Sequence, residues 1–399
     1  VFGILVAFLS NYIIGRLMGD NAWRWMLGGE AVPALVDTVM CFSIPQSPRW
    51  LIGQQGNREA GVMVLKQLNP AATDAETTAL VNAIIKASQA DYGSSNTAAR
   101  FLTLRLRVPM LVAFLVAFFN QLSGINAILY FAPRIFELAG LGKNAALLNS
   151  ISVGVTNLVS TFAGLYLIDR IRCRTLLHIG SFGYIASLDA CAGAFLTFAT
   201  PFQVANTAIS VSSLAASLEK AESLKVGNET DIQQLTAQVD QAKQSLVSAS
   251  ILPAYAGEPV KFAEAGSIEH TIAAADTTMQ QASEKSGFGG TLVMQCIFAF
   301  IAAHAVGQGA VIWVLISEVF PNQHRATGQS LGSFTHWIFA ALLTTLSTWM
   351  ISTFAPASVF GFFCGMMVLQ LVWVAIRVPE TTGVPPKKME KKLLASSTS

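Results

Sequence analysis

Residues 120–133 read Asn-Gln-Leu-Ser-Gly-Ile-Asn-Ala-Ile-Leu-Tyr-Phe-Ala-Pro, inside an apolar run that starts near Val108. The run is long enough to cross a bilayer, for which about 20 residues suffice, yet amides, a serine, a glycine and a proline interrupt it. Hydrogen-bonding groups at membrane depth cost free energy unless something pairs with them. Gly124 and Pro133 in one spanning helix also let it bend and expose backbone. Amides that donate and accept at once, with Tyr130 beside them, suit a neutral, hydroxyl-rich ligand such as a sugar. Any single one of these amides would serve equally well as glue between neighbouring helices. The cluster as a whole reads as a site.

The rest of the chain is written for the same solvent. Hydrophobic residues make up 53% of it and charged residues 12%, with a mean hydropathy of +0.52, too apolar for an ordinary soluble protein. Apolar stretches of spanning length recur near 1–17, 25–45, 108–138, 146–168, 175–200, 287–320, 326–353 and 355–378, which predicts an all-α polytopic membrane protein with eight spans. The net charge of +2 gives no reason to expect nucleic acid; the lipid bilayer is the expected partner. Val1 already lies inside an apolar run, with neither initiator Met nor signal-peptide architecture before it. The expectation is therefore a fragment whose upstream part is missing. Cys41, Cys173, Cys191, Cys296 and Cys364 are scattered, odd in number and spaced for neither a metal nor a disulfide framework. They read as packing residues.

Orientation follows from where Lys and Arg collect. The loop 46–107 carries Arg49, Arg58, Lys66, Lys86, Arg100, Arg105 and Arg107, and the turn 169–174 carries Arg170, Arg172 and Arg174. The tail carries Arg377, Lys387, Lys388, Lys391 and Lys392. With eight spans all three lie on one face, which the positive-inside rule makes cytoplasmic, along with both ends of the segment. The opposite face receives the polar stretch 201–286, where acids outnumber lysines.

Two polar inserts therefore punctuate the spans. The first, 47–106, shows helical stretches around Arg58–Leu68 and Ala75–Ala90, separated by Asn69-Pro70. In 201–286, Leu214, Leu218, Leu224, Ile232, Leu235, Val239 and Leu246 recur at nearly helical intervals and Gly227-Asn228 breaks the run. That pattern predicts a helical hairpin with a looser arm after Pro253, acting as a spacer or a lid. Asn228-Glu229-Thr230 matches the glycosylation sequon, which matters only in a secretory pathway.

Other spans also hold polar or aromatic residues that a lipid-facing helix would not select. Asn157 lies in one, and His304, Gly307-Gln308-Gly309, Trp313 and Glu318 in another. Gln329, His336 and Trp337 lie in a third. An indole offers a flat apolar face to a sugar ring and one N–H donor. At the borders, Pro45-Gln46-Ser47-Pro48-Arg49, Asp169-Arg170, Glu318 with Arg325, and Pro379-Glu380-Thr381 place charges where helices leave the membrane. Such pairs can hold one conformation closed, or simply anchor helix ends at the interface. No nucleophile–base pair, metal-ligand spacing or phosphate loop is present, so the expectation is not an enzyme.

At these residues the chain resembles the sugar porter family of the major facilitator superfamily, which includes facilitative glucose transporters and proton-linked xylose and hexose symporters. Trp23-Arg24-Trp25 and Pro45 through Leu51 match, the latter resembling P-E-S-P-R-[WF]-L, as do Gln121-Leu122-Ser123-Gly124-Ile125-Asn126, resembling Q-Q-x-S-G-I-N. Asp169-Arg170 resembles the opening of D-R-x-G-R-R. Trp313 through Pro321 with Arg325 follows, and Pro379-Glu380-Thr381 resembles P-E-T-K-G. The matches keep family order and cover nearly the whole chain outside 201–286.

The resemblance implies a twelve-span bundle of two six-helix halves, of which the fifth through twelfth spans are present here. On that reading 1–46 ends the N-terminal half, 47–106 is a cytoplasmic helical linker, and 107–200 holds the seventh to ninth spans. The insertion 201–286 is extracytoplasmic, 287–378 holds the tenth to twelfth spans, and 379–399 is a cytoplasmic tail. It implies transport of a monosaccharide by alternating access across the plasma (inner) membrane, with no cofactor beyond a co-transported proton in symporting members. The missing N-terminal half would be a necessary partner, and the fragment alone is not expected to transport. The sugar would be bound by Asn120, Gln121, Asn126, Tyr130, Asn157, Trp313, His336 and Trp337, and Arg49, Asp169, Arg170, Glu318 and Arg325 would form an inner gate. The alternative is a transporter-like sugar sensor without net flux, signalling through its polar segments.

The departures from the family pattern carry expectations too. Asn120 stands where a Gln is usual, and His336 where Asn or Gln is common, making His336 the expected titratable side chain of the pocket. Gly307-Gln308-Gly309-Ala310 replaces Gly-Pro-Gly-Pro, so glycines must supply any bend. Gln46, Arg172 and Cys173 replace gate residues, which predicts a weaker or rewired gate. Asp189 inside the ninth span has no role that the family assigns.

Overall fold

A computed structural model describes residues 2–53, 55–92, 106–141, 143–224, 229–255, 260–262, 267–320, 324–378 and 380, and among these the chain is helical with no β-strand. The helices run α1 (Phe2–Leu17), α2 (Ala22–Gly28), α3 (Ala31–Cys41), α4 (Pro48–Gly53), α5 (Arg58–Leu68) and α6 (Asp74–Tyr92). They continue as α7 (Arg107–Leu122), α8 (Ile125–Leu138), α9 (Lys143–Ile168), α10 (Cys173–Thr197), α11 (Ala199–Leu224) and α12 (Glu229–Ser250). The last are α13 (Ile268–Ser286), α14 (Gly289–Val306), α15 (Gln308–Val319), α16 (Arg325–Thr353) and α17 (Pro356–Arg377). Contacts divide the chain into one unit of Val1–Tyr12, Leu111–Val319 and Gln329–Pro385, and a second of Ile13–Met110, Phe320–Gly328 and Pro386–Ser399.

Among the described residues, six helical stretches are long and apolar enough to cross a membrane: Arg107–Leu138, Leu148–Ile168, Cys173–Thr197, Gly289–Val319, Arg325–Thr353 and Pro356–Arg377. Phe2–Leu17 is apolar but shorter. On these helices Phe162, Leu165, Trp349, Val372 and Ile376 face outward, the arrangement expected when lipid is the solvent. The stretch expected to span at 25–45 is kinked into two short helices, α2 and α3, parted at Gly29 and Glu30, whose backbone stays right-handed helical. Pro33 has no N–H and its ring would collide with the carbonyl four residues back, that of Gly29, so one continuous helix is disfavoured there.

Two of the long stretches are broken where the sequence placed its glycines. Between α7 and α8, Gly124 takes a left-handed φ of 84°, and a β-carbon there would come within 2.8 Å of the Phe363 ring. Only glycine meets both conditions. Between α14 and α15 the break falls at Gly307, with φ −85° and ψ −98°. A β-carbon on Gly307 would lie 2.7 Å from the Gly180 Cα, so α10 passes this break at backbone distance. The glycines do supply the bend that prolines give elsewhere.

In the first unit α10 packs against α14 and α17, and α9 against α14 and α8. Phe136, Tyr184, Ile128, Leu188, Ile297, Phe300 and Phe363 form the centre of one continuous core there. The insertion is helical, and α11 and α12 pack on one another as the expected hairpin, but a third helix follows in place of a loose arm. α13 follows the arm expected after Pro253 and packs along α11, while α12 packs on α11 from another side. Its buried stripe is Thr271, Ala275, Thr278, Ala282 and Ser286, spaced as one helix face but made of small and hydroxylated residues. A hydrophobicity reading passes over such a stripe. Val204, Ala208, Val211 and Leu246 complete a core belonging to the insertion itself.

In the second unit, α4, α5 and α6 pack on one another around Ile52, Val81 and Ile84. Thr73 and Glu76 form a capping box at the start of α6: Thr73 N donates to Glu76 Oε2 at 2.9 Å, and Glu76 N donates to Thr73 Oγ1 at 3.3 Å. Asn228 of the sequon, Arg100, Arg105, the tail lysines and the ends of the Pro379-Glu380-Thr381 motif lie outside the described residues.

Candidate functional site

The break at Gly124 sets the site's geometry. It ends α7 just after Asn120 and Gln121 and restarts as α8 with Asn126 in its first turn. The three amides therefore converge instead of spreading along one long helix. Asn126 Nδ2 donates to Gln121 Oε1 at 2.8 Å, and Gln121 Nε2 donates to Asn120 Oδ1 at 3.1 Å. The same Nε2 lies 3.0 Å and 3.1 Å from the two ring nitrogens of His336 on α16. Asn120 and Gln121 are almost wholly buried, so this chain satisfies groups that would otherwise be costly at membrane depth.

This polar chain lines a cavity of about 210 Å³, whose wall also includes Asn157 and Thr161 of α9, His304 of α14, and Gly309 and Trp313 of α15. Ile4, Ile125, Leu129, Ala305 and Ile312 supply its apolar surface. At about 30 Å³ per water, the space holds roughly seven waters and is on the scale of one monosaccharide. The rings of Trp313 and His336 lie 5.2 Å apart at 57°, and Gln329 Nε2 fixes the Trp313 carbonyl at 3.0 Å.

Six residues expected at the site thus share one cavity: Asn120, Gln121, Asn126, Asn157, Trp313 and His336. Two do not line it. Tyr130 and Trp337 are both mostly exposed, Trp337 with its ring edge-on to His336 at 5.3 Å. His336 is also not the one titratable side chain of the pocket, because His304 lines it as well. His304 Nδ1 pairs with the buried Tyr184 hydroxyl at 2.6 Å, and Tyr184 reaches Gln308 Oε1 at 3.5 Å. Thr161 and Tyr184 escaped the sequence reading. The signal for Thr161 was its place one turn beyond Asn157 on the same face.

The expected gate residues sit at helix ends. Arg49 lies in the first turn of α4 and is exposed, as are Asp169 and Arg170 just after α9. The Arg170 guanidinium covers the Tyr166 ring at 3.9 Å. Glu318 Oε2 and Arg325 Nε are each shielded from solvent without a hydrogen-bond partner. Arg174 Nη2 donates to the carbonyl of Ala375, capping the C-terminal turn of α17. Asp189 is exposed on α10.

Comparison with known proteins gives a consistent set. The family model described as "Sugar (and other) transporter" matches residues 1–216 and 266–393, leaving out only the middle of the insertion and the last residues. The chain is 27% identical over 402 residues to the probable inositol transporter 2 of Arabidopsis thaliana, covering 97% of this chain and 67% of that one. It is 26% identical over 402 residues to the glucose transporter GlcP of Staphylococcus epidermidis, covering 98% and 66%. Among solved structures, the proton:xylose symporter XylE bound to 6-bromo-6-deoxy-D-glucose superposes with a TM-score of 0.59 at 22% identity, covering 98% of this chain and 64% of that one. That likeness shows the major facilitator fold. The chain spans about two thirds of the length of these proteins.

Proposed function

The chain belongs to the sugar (and other) transporter family and is a multi-pass integral membrane protein of the major facilitator superfamily, and from that premise we propose that it binds a monosaccharide in the cavity between α7, α8, α9, α15 and α16 and carries it across the membrane by alternating access. The observation that carries this reading is the chain Asn126–Gln121–His336 beside Trp313. It presents donors and acceptors together with an aromatic face, the combination that recognises a hydroxylated ring. Both breaks, at Gly124 and Gly307, sit next to the cavity wall, and discontinuous helices at a binding site are how transporters of this kind expose backbone and change shape. Arg49, Asp169, Arg170, Glu318 and Arg325 are proposed as gate charges that change partners between states. The membrane is proposed to be the plasma (inner) membrane, with the α4–α6 region cytoplasmic and the insertion outside.

Thermal unfolding of the purified chain, followed with and without a panel of hexoses and pentoses, tests the binding step. At least one sugar should raise the midpoint, and Gln121→Ala and Asn126→Ala should each abolish that rise. Equal protection of both variants would remove the site.

A further inference from the structure

The cavity wall carries two imidazoles and, among the described residues, no Asp, Glu, Lys or Arg. His304 is held by the Tyr184 hydroxyl on Nδ1, which leaves Nε2, beside Gly309, as its remaining polar atom. His336 lies between Gln121 and the Trp313 ring. The elements packed around the pair offer Asn157 and Thr161 from α9, Tyr184 from α10 and Gln308 from α15, none of which carries charge near neutral pH. A neutral polyol is served by the amides and the indole alone. Two groups that can accept a proton serve an anionic oxygen ligand.

Resting on the reading of the cavity as a monosaccharide site, we infer that its preferred cargo is a sugar acid, a polyol carrying one carboxylate, held between His304 and His336. A buried charge is tolerated when it is paired and hydrogen-bonded. The carboxylate therefore enters together with a proton: one imidazole gains an N–H, that N–H donates to the carboxylate oxygen, and the net charge of the occupied cavity stays zero. Binding a sugar acid takes up about one proton, and binding a neutral sugar takes up none.

The test compares D-glucuronate with D-glucose on the purified chain at pH 5.5 and pH 8, by thermal protection and by proton uptake in a weakly buffered indicator solution. With close to one proton taken up across this interval, glucuronate should bind on the order of a hundredfold tighter at pH 5.5 than at pH 8, while glucose should show neither proton uptake nor pH dependence. His304→Gln, which keeps a hydrogen-bonding partner for Tyr184, and His336→Asn should each remove the glucuronate preference. Protection by glucose alone, or glucuronate binding without proton uptake or unchanged in both variants, overturns the inference and leaves the monosaccharide site standing. Protection by neither, nor by any other neutral monosaccharide, overturns both.

Discussion

Gln121 Nε2 lies 3.0 Å from Nδ1 of His336, a contact between side chains 215 residues apart in sequence. It ties the amide end of α7 to the middle of α16, and both residues face the same cavity. Removing one partner of such a pair leaves a buried amide hydrogen without an acceptor, which costs about 1–3 kcal/mol. His336→Ala should lower the unfolding midpoint in denaturant titration by a corresponding amount. His336→Asn, which keeps an acceptor, should recover part of it. Equal loss in both variants would mean that ring packing against Trp313, not the hydrogen bond, holds His336.

Gly124 is the hinge on which the site depends. A left-handed φ costs a β-substituted residue about 1–2 kcal/mol, and displacing the Phe363 ring adds roughly 1–3 kcal/mol. Gly124→Ala should destabilise the chain and weaken sugar protection together. Gly361→Ala, on α17 with nothing within 4 Å of the added carbon, is the control and should be neutral or stabilising. Comparable loss at the two positions would show that the turn at Gly124 is not special.

The insertion divides the transporter and sensor readings. Residues 217–265 fall outside the family match, and none of the described residues among them lines the cavity. Replacing 217–265 with a short flexible linker should leave sugar protection unchanged. Loss of binding with the membrane helices still folded would favour a receptor in which the insertion takes part in recognition.

The start of α6 should respond to acid. Hydrogen bonds from Thr73 hold the Glu76 carboxyl below the usual carboxylate range, and the hydrogen bond and charge of Lys66, 2.9 Å away, do the same for Asp74. Because both values are depressed in the folded state, their stabilising effect is complete above the ordinary carboxylate range and is lost as pH falls through the folded values. Hydrogen exchange, corrected for intrinsic rates, should show α6 losing protection between pH 6 and pH 3, and Thr73→Ala should weaken that dependence. A pH-independent pattern would contradict the capping role.

The spans and the polar interruption at 120–133 were legible because lipid allows so few alternatives for backbone and amides. Asn157, Trp313 and His336 could be grouped with that interruption because they too were polar or aromatic where lipid-facing residues are expected. What sequence could not provide was direction. Tyr130 and Trp337 sit on the right helices but do not line the cavity, and a small helical rotation decides that. Tyr184 and His304 pair across 120 residues, a distance no local pattern spans. The stripe of α13 was hidden for another reason: alanines, threonines and a serine bury well only against a closely approaching partner, which sequence does not reveal. At 25–45 hydropathy did not reveal the kink at Gly29 and Glu30, which Pro33 explains.

The central claim is that sugar occupies the cavity beside Trp313, and tryptophan fluorescence of the purified chain during monosaccharide titration reads it directly. A saturable change is predicted for the wild type, absent in Trp313→Phe, whose signal is gone, and absent in Asn126→Ala, whose site is broken. A change of the same size and midpoint in both variants would place the sugar elsewhere.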